Sequence, residues 1–410
     1  MALRILMISW EYPPNVVGGL GKHVTDLIPA LSSQGVEVHL VTPELRGGAA
    51  VEQIAERAWV HRVATPDMSR DGNGFVTFAQ TTNQFLAQRA HELIQQGGFD
   101  LVHVHDWLVG YAGIDLKHRY HLPLIATIHA TERGRGGGNI QGEMQEAING
   151  TERWLTEEAW RIITVSRFMA GQAHDYFGTP WDKISVINNG IHLPSAPKMV
   201  GDERQAFRRR FAHDDQPIVF YVGRVVYEKG IQVLIDAAPM ILSVQPKTRF
   251  VIAGTGGHLS QLQHRAWERE VYGAFVFTGF IPDTDRDHLF QVADVAVFPS
   301  LYEPFGIVAL EAMAYHCPVV VSATGGLQEV VRLHENGLTA YPDSPESLAW
   351  AVTETLARPD WAQSRADTAF AEVQAVYNWE RIAAQTTEVY ERVVYEAHTS
   401  AWGRADTHTA

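Results

Sequence analysis

Two carboxylates and two cations occupy positions from which a chain can grip a polyhydroxylated phosphate ester. Glu303 and Glu311 bracket the stretch Glu303-Pro-Phe-Gly306-Ile-Val-Ala-Leu-Glu311. Arg224 and Lys229 bracket Gly223-Arg224-Val-Val-Tyr-Glu-Lys229-Gly230. Carboxylates accept hydrogen bonds from hydroxyls. An arginine fork and a lysine point charge suit a diphosphate. The apolar run 295–298 predicts a buried strand, and 307–314 predicts a helix. Glu303 then lies in a strand-to-helix turn and Glu311 inside the helix. Gly306 allows close backbone approach. The amides of Phe305, Gly306, Ile307 and Val308 are oriented donors at the positive end of a helix dipole.

Other strand ends carry similar chemistry. Gly18-Gly19-x-Gly21 follows the first apolar run and predicts a turn that approaches a phosphate, although Val24 stands where a dinucleotide fingerprint needs its third glycine. Gly254 and Gly279 end two further runs and would form a wall for a flat base. His129 ends another, as a polar contact to a reacting sugar. His103, His105 and Asp106 raise the question of a metal. Alternation of His103 and His105 with Val104 favours a strand instead, so no metal is expected. Asp283-Thr-Asp285 is read as a helix N-cap, again with no metal. The glycine-rich stretch 134–138 predicts a loop that orders on substrate.

The 410 residues suggest two or three domains, each long enough for its own core. A formal charge of −14 speaks against a nucleic-acid partner. The single cysteine, Cys317, excludes an internal disulfide framework and is read as a buried thiol. No apolar run reaches the roughly 20 residues of a membrane span, membrane contact is not evident, and the expected location is cytoplasmic.

The elements that must position these residues alternate. Strands are predicted over 3–8, 36–41, 59–63, 75–79, 101–104, 124–128, 161–165 and 184–187, then over 218–222, 249–253, 274–277, 295–298 and 319–321. A helix with Leu20, Val24, Leu27, Ile28 and Leu31 on one face ends at Gly35, and another covers 83–96. This order predicts an α/β protein with two doubly wound, parallel, Rossmann-like sheets whose carboxyl edges face a central cleft. We expect an N-terminal acceptor domain over 1–195 and a C-terminal donor domain over 196–375. A last helix at 376–397 is expected to return to the first domain, followed by a disordered tail at 398–410. The stretch from Asn189 to Gln216, with Pro194, Pro197, Gly201 and Arg204, Arg208, Arg209 and Arg210, is read as the junction, its arginines on a solvated linker helix.

With Gly18-Gly19, His129, Gly223-Arg224…Lys229-Gly230 and Glu303-x7-Glu311 in this order, the chain resembles the family 4 glycosyltransferases of the GT-B fold over residues 2–395. Ser9-Trp-Glu-Tyr-Pro-Pro and His129-Ala-Thr-Glu132 further resemble the glycogen-synthase-like glucosyltransferases, which extend α-1,4-glucans. Val16 stands where bacterial glycogen synthases carry lysine, so the resemblance leaves UDP-glucose and ADP-glucose both open as donor. It implies retaining hexosyl transfer to an acceptor glycan without a metal or other cofactor. Arg224 and Lys229 would hold the diphosphate, Glu303 the donor sugar, Glu311 the ribose and His129 the sugar's primary hydroxyl. Gly18 and Gly19 would approach the diphosphate. Tyr12, Asp106, Trp107, Thr131, Glu132 and Arg135 would meet the acceptor. The readings left beside it are transfer to another glycan or a glycolipid, a sugar-nucleotide epimerase, a phosphorylase, and a non-enzymatic glycan-binding protein.

Overall fold

The computed structural model describes residues 3–65, 74–194 and 199–404. The chain divides into two compact units, one comprising 1–190 with 379–410 and the other 191–378.

In the first unit the strands are β1 (Arg4–Ile8), β2 (Glu37–Glu44), β3 (Val51–Ala55), β4 (Ala58–Ala64), β5 (Leu101–His105), β6 (Leu124–Ile128), β7 (Arg161–Thr164) and β8 (Ile184–Val186). They lie in the order β3-β4-β2-β1-β5-β6-β7-β8. Pairing is parallel except between β3 and β4. Strands of a parallel sheet are covered on both faces, which is why β1 and β6 are almost continuously apolar and β5 is buried throughout, its His103 and His105 included. Strand order reverses between β1 and β5, the switch point at which doubly wound sheets bind ligands.

The helix Gly19–Ser33 covers one face with Leu20, Val24, Leu27, Ile28 and Leu31. The helix Trp379–Thr399 packs on the same core through Trp379, Ile382, Ala383, Tyr390 and Val393. Its buried Tyr390 hydroxyl lies 2.7 Å from His103 Nδ1, so the end of the chain is tied to β5.

In the second unit the strands are β9 (Ile218–Val222), β10 (Arg249–Ala253), β11 (Phe275–Gly279), β12 (Val295–Phe298), β13 (Val319–Ser322) and β14 (Leu338–Ala340). The order is β11-β10-β9-β12-β13-β14, all parallel. The switch point lies between β9 and β12. The loops that follow these two strands carry Arg224 and Lys229, and Glu303.

Four readings of the sequence are corrected. Residues 75–79 begin the helix Phe75–Gln96 rather than forming a strand. Phe75 and Phe78, one turn apart, both meet the edge of Trp10, and Ala79, Leu86, Ala90 and Leu93 continue the buried face. The expected N-cap at Asp283 is Pro282, and Asp283 is the first helical residue, paired with Arg286 at 2.9 Å. Of the arginines of 204–210, Arg209 and Arg210 are exposed as read, but Arg208 does not sit on a solvated face. Arg208 is buried, donates to the carbonyl of Val292, and pairs with Asp294 at 2.9 Å, pinning the helix Gly201–Arg208 to its own unit. The disorder expected from residue 398 does not hold for 398–404, because the last long helix runs to Thr399 and a turn of helix covers Ala401–Arg404. Residues 405–410, and Pro197 of the junction, lie outside the described residues.

Candidate active site

In the second unit the loop 223–230 leaves β9 and the loop 299–306 leaves β12. Gly230 adopts φ +69°, and a Cβ there would lie 1.8 Å from the Pro299 carbonyl oxygen. The two loops therefore touch backbone to backbone. Leu301 N–H donates to the Glu228 carbonyl at 2.8 Å, adding a second tie. This contact brings Lys229 Nζ to 2.6 Å from Glu303 Oε2, with the Ser300 hydroxyl 3.4 Å from the same oxygen. Glu303 is buried. A buried carboxylate is stable only when paired and hydrogen-bonded, and Lys229 and Ser300 supply both. Arg224 pairs with Glu228 at 2.9 Å, and the Tyr221 hydroxyl donates to the Arg224 carbonyl at 3.0 Å.

Gly306 caps the helix Ile307–Ala314 at φ +106° and offers no side chain to its first amides. A Cβ at Gly306 would meet Leu327 Cδ2 at 2.5 Å. Phe305 is buried beside it, and the loop is closed by Gly326 N–H donating to the Glu303 carbonyl at 2.9 Å. Glu311 is buried in this helix with Arg286 at 3.8 Å. Gly254 and Gly279 end adjacent strands and are joined directly, Gly254 N–H donating to the Gly279 carbonyl at 2.8 Å.

At the switch point of the first unit four histidines gather. His103, His105 and His129 come from the ends of β5 and β6, and His23 comes from the first helix. His105 Nδ1 lies 3.1 Å from His129 Nε2, and His23 Nδ1 lies 2.6 Å from Asn189 Oδ1. Burial penalises the imidazolium at each. His23 is lowered to about 4 and His103 to about 3, while His105 and His129 fall well below the ordinary value. The rings are neutral at pH 7, with one donor and one acceptor nitrogen each. His23, His105 and His129 also bring one ring nitrogen apiece within 4.8 Å of one another, and these are the described side chains that could hold a metal ion. Among the described residues the buried His105 Nε2 has no hydrogen-bond partner.

Asp106 follows β5 at φ +60°, a region that costs a non-glycine residue on the order of 1–3 kcal/mol. Its carboxyl accepts from His129 N–H at 2.6 Å, which fixes the backbone from which the His129 ring projects. Glu152 accepts from Glu132 N–H at 2.9 Å and 3.2 Å. Burial raises Asp106 to about 7 and Glu152 to about 8, against the pull of these amides and of Arg135. Glu11 Oε2 accepts from Val17 N–H at 2.8 Å and Gly18 N–H at 3.0 Å, so the Gly18 amide expected to approach a phosphate already has a partner. Gly19 opens the helix directly after it.

Thr131 caps the short helix Glu132–Arg135 by accepting from Gly134 N–H at 3.0 Å. Tyr12 and Trp107 are buried, Tyr12 under the Arg62 guanidinium and Trp107 against Phe75, so neither presents the open ring face expected of a sugar platform. Residues that sequence reasoning did not assign are His23, Asn189, Glu11, Glu152 and Arg286. Glu11 had a legible signal, an acid at the end of the first strand. The others sit within helices or far along the chain, where nothing in spacing announces their partners.

Comparison with known proteins follows the same division. Residues 17–194 match the family described as Glycosyltransferase Family 4, and residues 202–370 match Glycosyl transferases group 1. An uncharacterized glycosyltransferase of Methanocaldococcus jannaschii is 36% identical across 95% of this chain and 98% of its own length. Glycogen synthase of Mycobacterium tuberculosis is 35% identical across 95% and 94%. Alpha-maltose-1-phosphate synthase of Mycolicibacterium smegmatis is 30% identical across 95% and 100%. The solved sucrose-phosphate synthase from Thermosynechococcus elongatus superposes with a TM-score of 0.83 at 25% identity, covering 96% of this chain and 99% of that one.

Proposed function

Because the chain belongs to the family 4 glycosyltransferases, with their GT-B fold, we propose that it moves a hexosyl group, glucose first among them, from a nucleoside diphosphate sugar to a saccharide hydroxyl with retention. One observation carries the reading: the 2.6 Å approach of Lys229 to Glu303. In a nucleotide sugar the sugar ring and the diphosphate share a bond. Their recognition groups, a carboxylate for hydroxyls and an ammonium for phosphate, must therefore lie side by side. Lys229 and Arg224 then stabilise the diphosphate as its charge develops, which is commonly the largest electrostatic contribution to catalysis. Glu303 binds the donor hydroxyls and supports the cationic character of the ring. The Phe305–Val308 backbone turns toward sugar and phosphate oxygens, and Glu311 takes the ribose. The departing phosphate oxygen accepts the acceptor's proton, so no side-chain base is invoked. His129, neutral and anchored through Asp106, is the first unit's candidate contact for a sugar hydroxyl.

UDP-glucose and ADP-glucose are the donors to test, and α-1,4-glucan extension is the finer reading favoured by the relative named glycogen synthase. Since Arg224 and Lys229 supply the counter-charge, the reaction needs no divalent cation. The test is product formation from either donor with malto-oligosaccharide, with and without EDTA. Absence of both transfer and donor hydrolysis rejects the reading. A rate abolished by EDTA and restored by a divalent ion rejects its metal independence and directs attention to the histidine cluster.

A further inference from the structure

Backbone amides at the carboxyl edge of a doubly wound sheet are ready-made phosphate cradles. In the first unit several of these are already filled by the chain's own acids. Glu11 takes the amides of Val17 and Gly18 at 2.8 Å and 3.0 Å. Asp106 takes the amide of His129 at 2.6 Å. Glu152, from the helix Glu143–Glu158, takes the amide of Glu132 with both oxygens. Three acids from separate elements thus occupy donors that follow β1 and β6. A Cβ on Gly21 would lie 2.7 Å from Glu11 Oε2, so the first carboxylate is also closely packed.

The neighbouring cations are committed in the same way. Lys22 pairs with Asp26 at 3.5 Å. Arg133 donates to the Gly138 carbonyl at 2.9 Å and lies over the Tyr176 ring. Arg135 is coupled electrostatically to Asp106 and Glu152.

We propose that Glu11, Asp106 and Glu152 are specificity-determining residues that exclude a phosphate group from the first unit's sheet edge, so that the acceptor is an unphosphorylated saccharide. The proposal rests on the reading of this unit as the acceptor-holding one. It bears on a choice that the relatives leave open, since their names include both glycogen and a sugar phosphate. A phosphorylated acceptor would have to displace an internal carboxyl from an amide. A neutral one meets oxygen acceptors suited to its hydroxyls.

The experiment compares maltotriose with glucose 1-phosphate and fructose 6-phosphate on the full chain. Two readouts are taken: kcat/KM with whichever donor is used, and calorimetric binding without donor. The expected result is at least tenfold preference for maltotriose in both. In Glu11→Ala and Glu152→Ala, which free the amides these acids occupy, the ratio narrows at least threefold through gain on the phosphorylated sugars. Tighter binding of either sugar phosphate by the unaltered chain overturns the proposal even if no donor is turned over. Transfer that favours a sugar phosphate overturns it while leaving the transferase reading intact.

Discussion

Lys229 Nζ and Glu303 Oε2, on loops that leave two adjacent strands, lie 2.6 Å apart. Neither residue reaches the other through its own element. The contact exists because strands β9 and β12 are neighbours in the sheet, although the two residues are 74 positions apart in sequence. If this pair marks where sugar joins phosphate, Lys229→Ala and Glu303→Gln each lower kcat by roughly 10²–10³, the scale of losing one oriented electrostatic group. Steady-state kinetics checks this, with melting temperatures taken alongside. Near-normal rates in both variants would move the chemistry elsewhere.

Gly230→Ala should lose both stability and activity. The substitution asks for a left-handed alanine, costing roughly 1–2 kcal/mol, before its Cβ reaches the Pro299 carbonyl. Urea denaturation and donor KM are the readouts. Unchanged values for both would mean that the loop contact is not what holds Lys229.

The titrating groups of the first unit give stability an optimum. Histidines with lowered folded-state values leave the unfolded chain binding more protons below pH about 6.5, so stability falls as pH drops from there toward about 4 for His23 and about 3 for His103. Asp106 and Glu152 do the reverse. The folded state keeps their protons while the unfolded chain has lost them, so stability falls as pH rises until about 7 and about 8 respectively. Between pH 6.5 and 8 the carboxyls act alone. The melting temperature should decline across that interval, and Glu152→Gln should remove most of the decline. A variant that keeps the wild-type slope would contradict the assignment.

Tyr390→Phe removes the hydroxyl that partners His103 Nδ1 and leaves a buried polar atom unsatisfied, at a cost of about 1–3 kcal/mol. Ile382→Ala, in the same helix, should cost about 2–5 kcal/mol. Both are read by denaturant unfolding. Values near zero would mean that the last long helix is not part of the first unit's core.

Much of this was legible in the sequence. Parallel strands are apolar along most of their length, so β1, β6, β9, β10 and β12 stood out by run length, and β5 by the alternation of its histidines with Val104. β3 did not, because it is a short edge strand exposed over its first three residues, with only Ile54 and Ala55 packed on the core. The segment 75–79 misled because Phe75, Val76 and Phe78 look like a strand, until the partner that both phenylalanines touch, Trp10, is known. Glu303, Lys229 and Arg224 were legible because strand-to-helix turns are local. The commitment of the Gly18 amide to Glu11 was not, because a turn and its filler differ only in three dimensions. The aromatic rings of Tyr12 and Trp107 had a plausible type and an uninformative address.

The return of the helix Trp379–Thr399 to the first unit has a consequence during synthesis. On the ribosome the N-terminal sheet emerges first, yet the element that covers Leu20, Val24 and Leu27 follows only after the whole intervening unit has been made. At ~5–20 residues per second that delay is roughly 10–40 s. For that interval the nascent N-terminal half has an uncovered apolar flank, and this is the stage at which the chain would most need a chaperone.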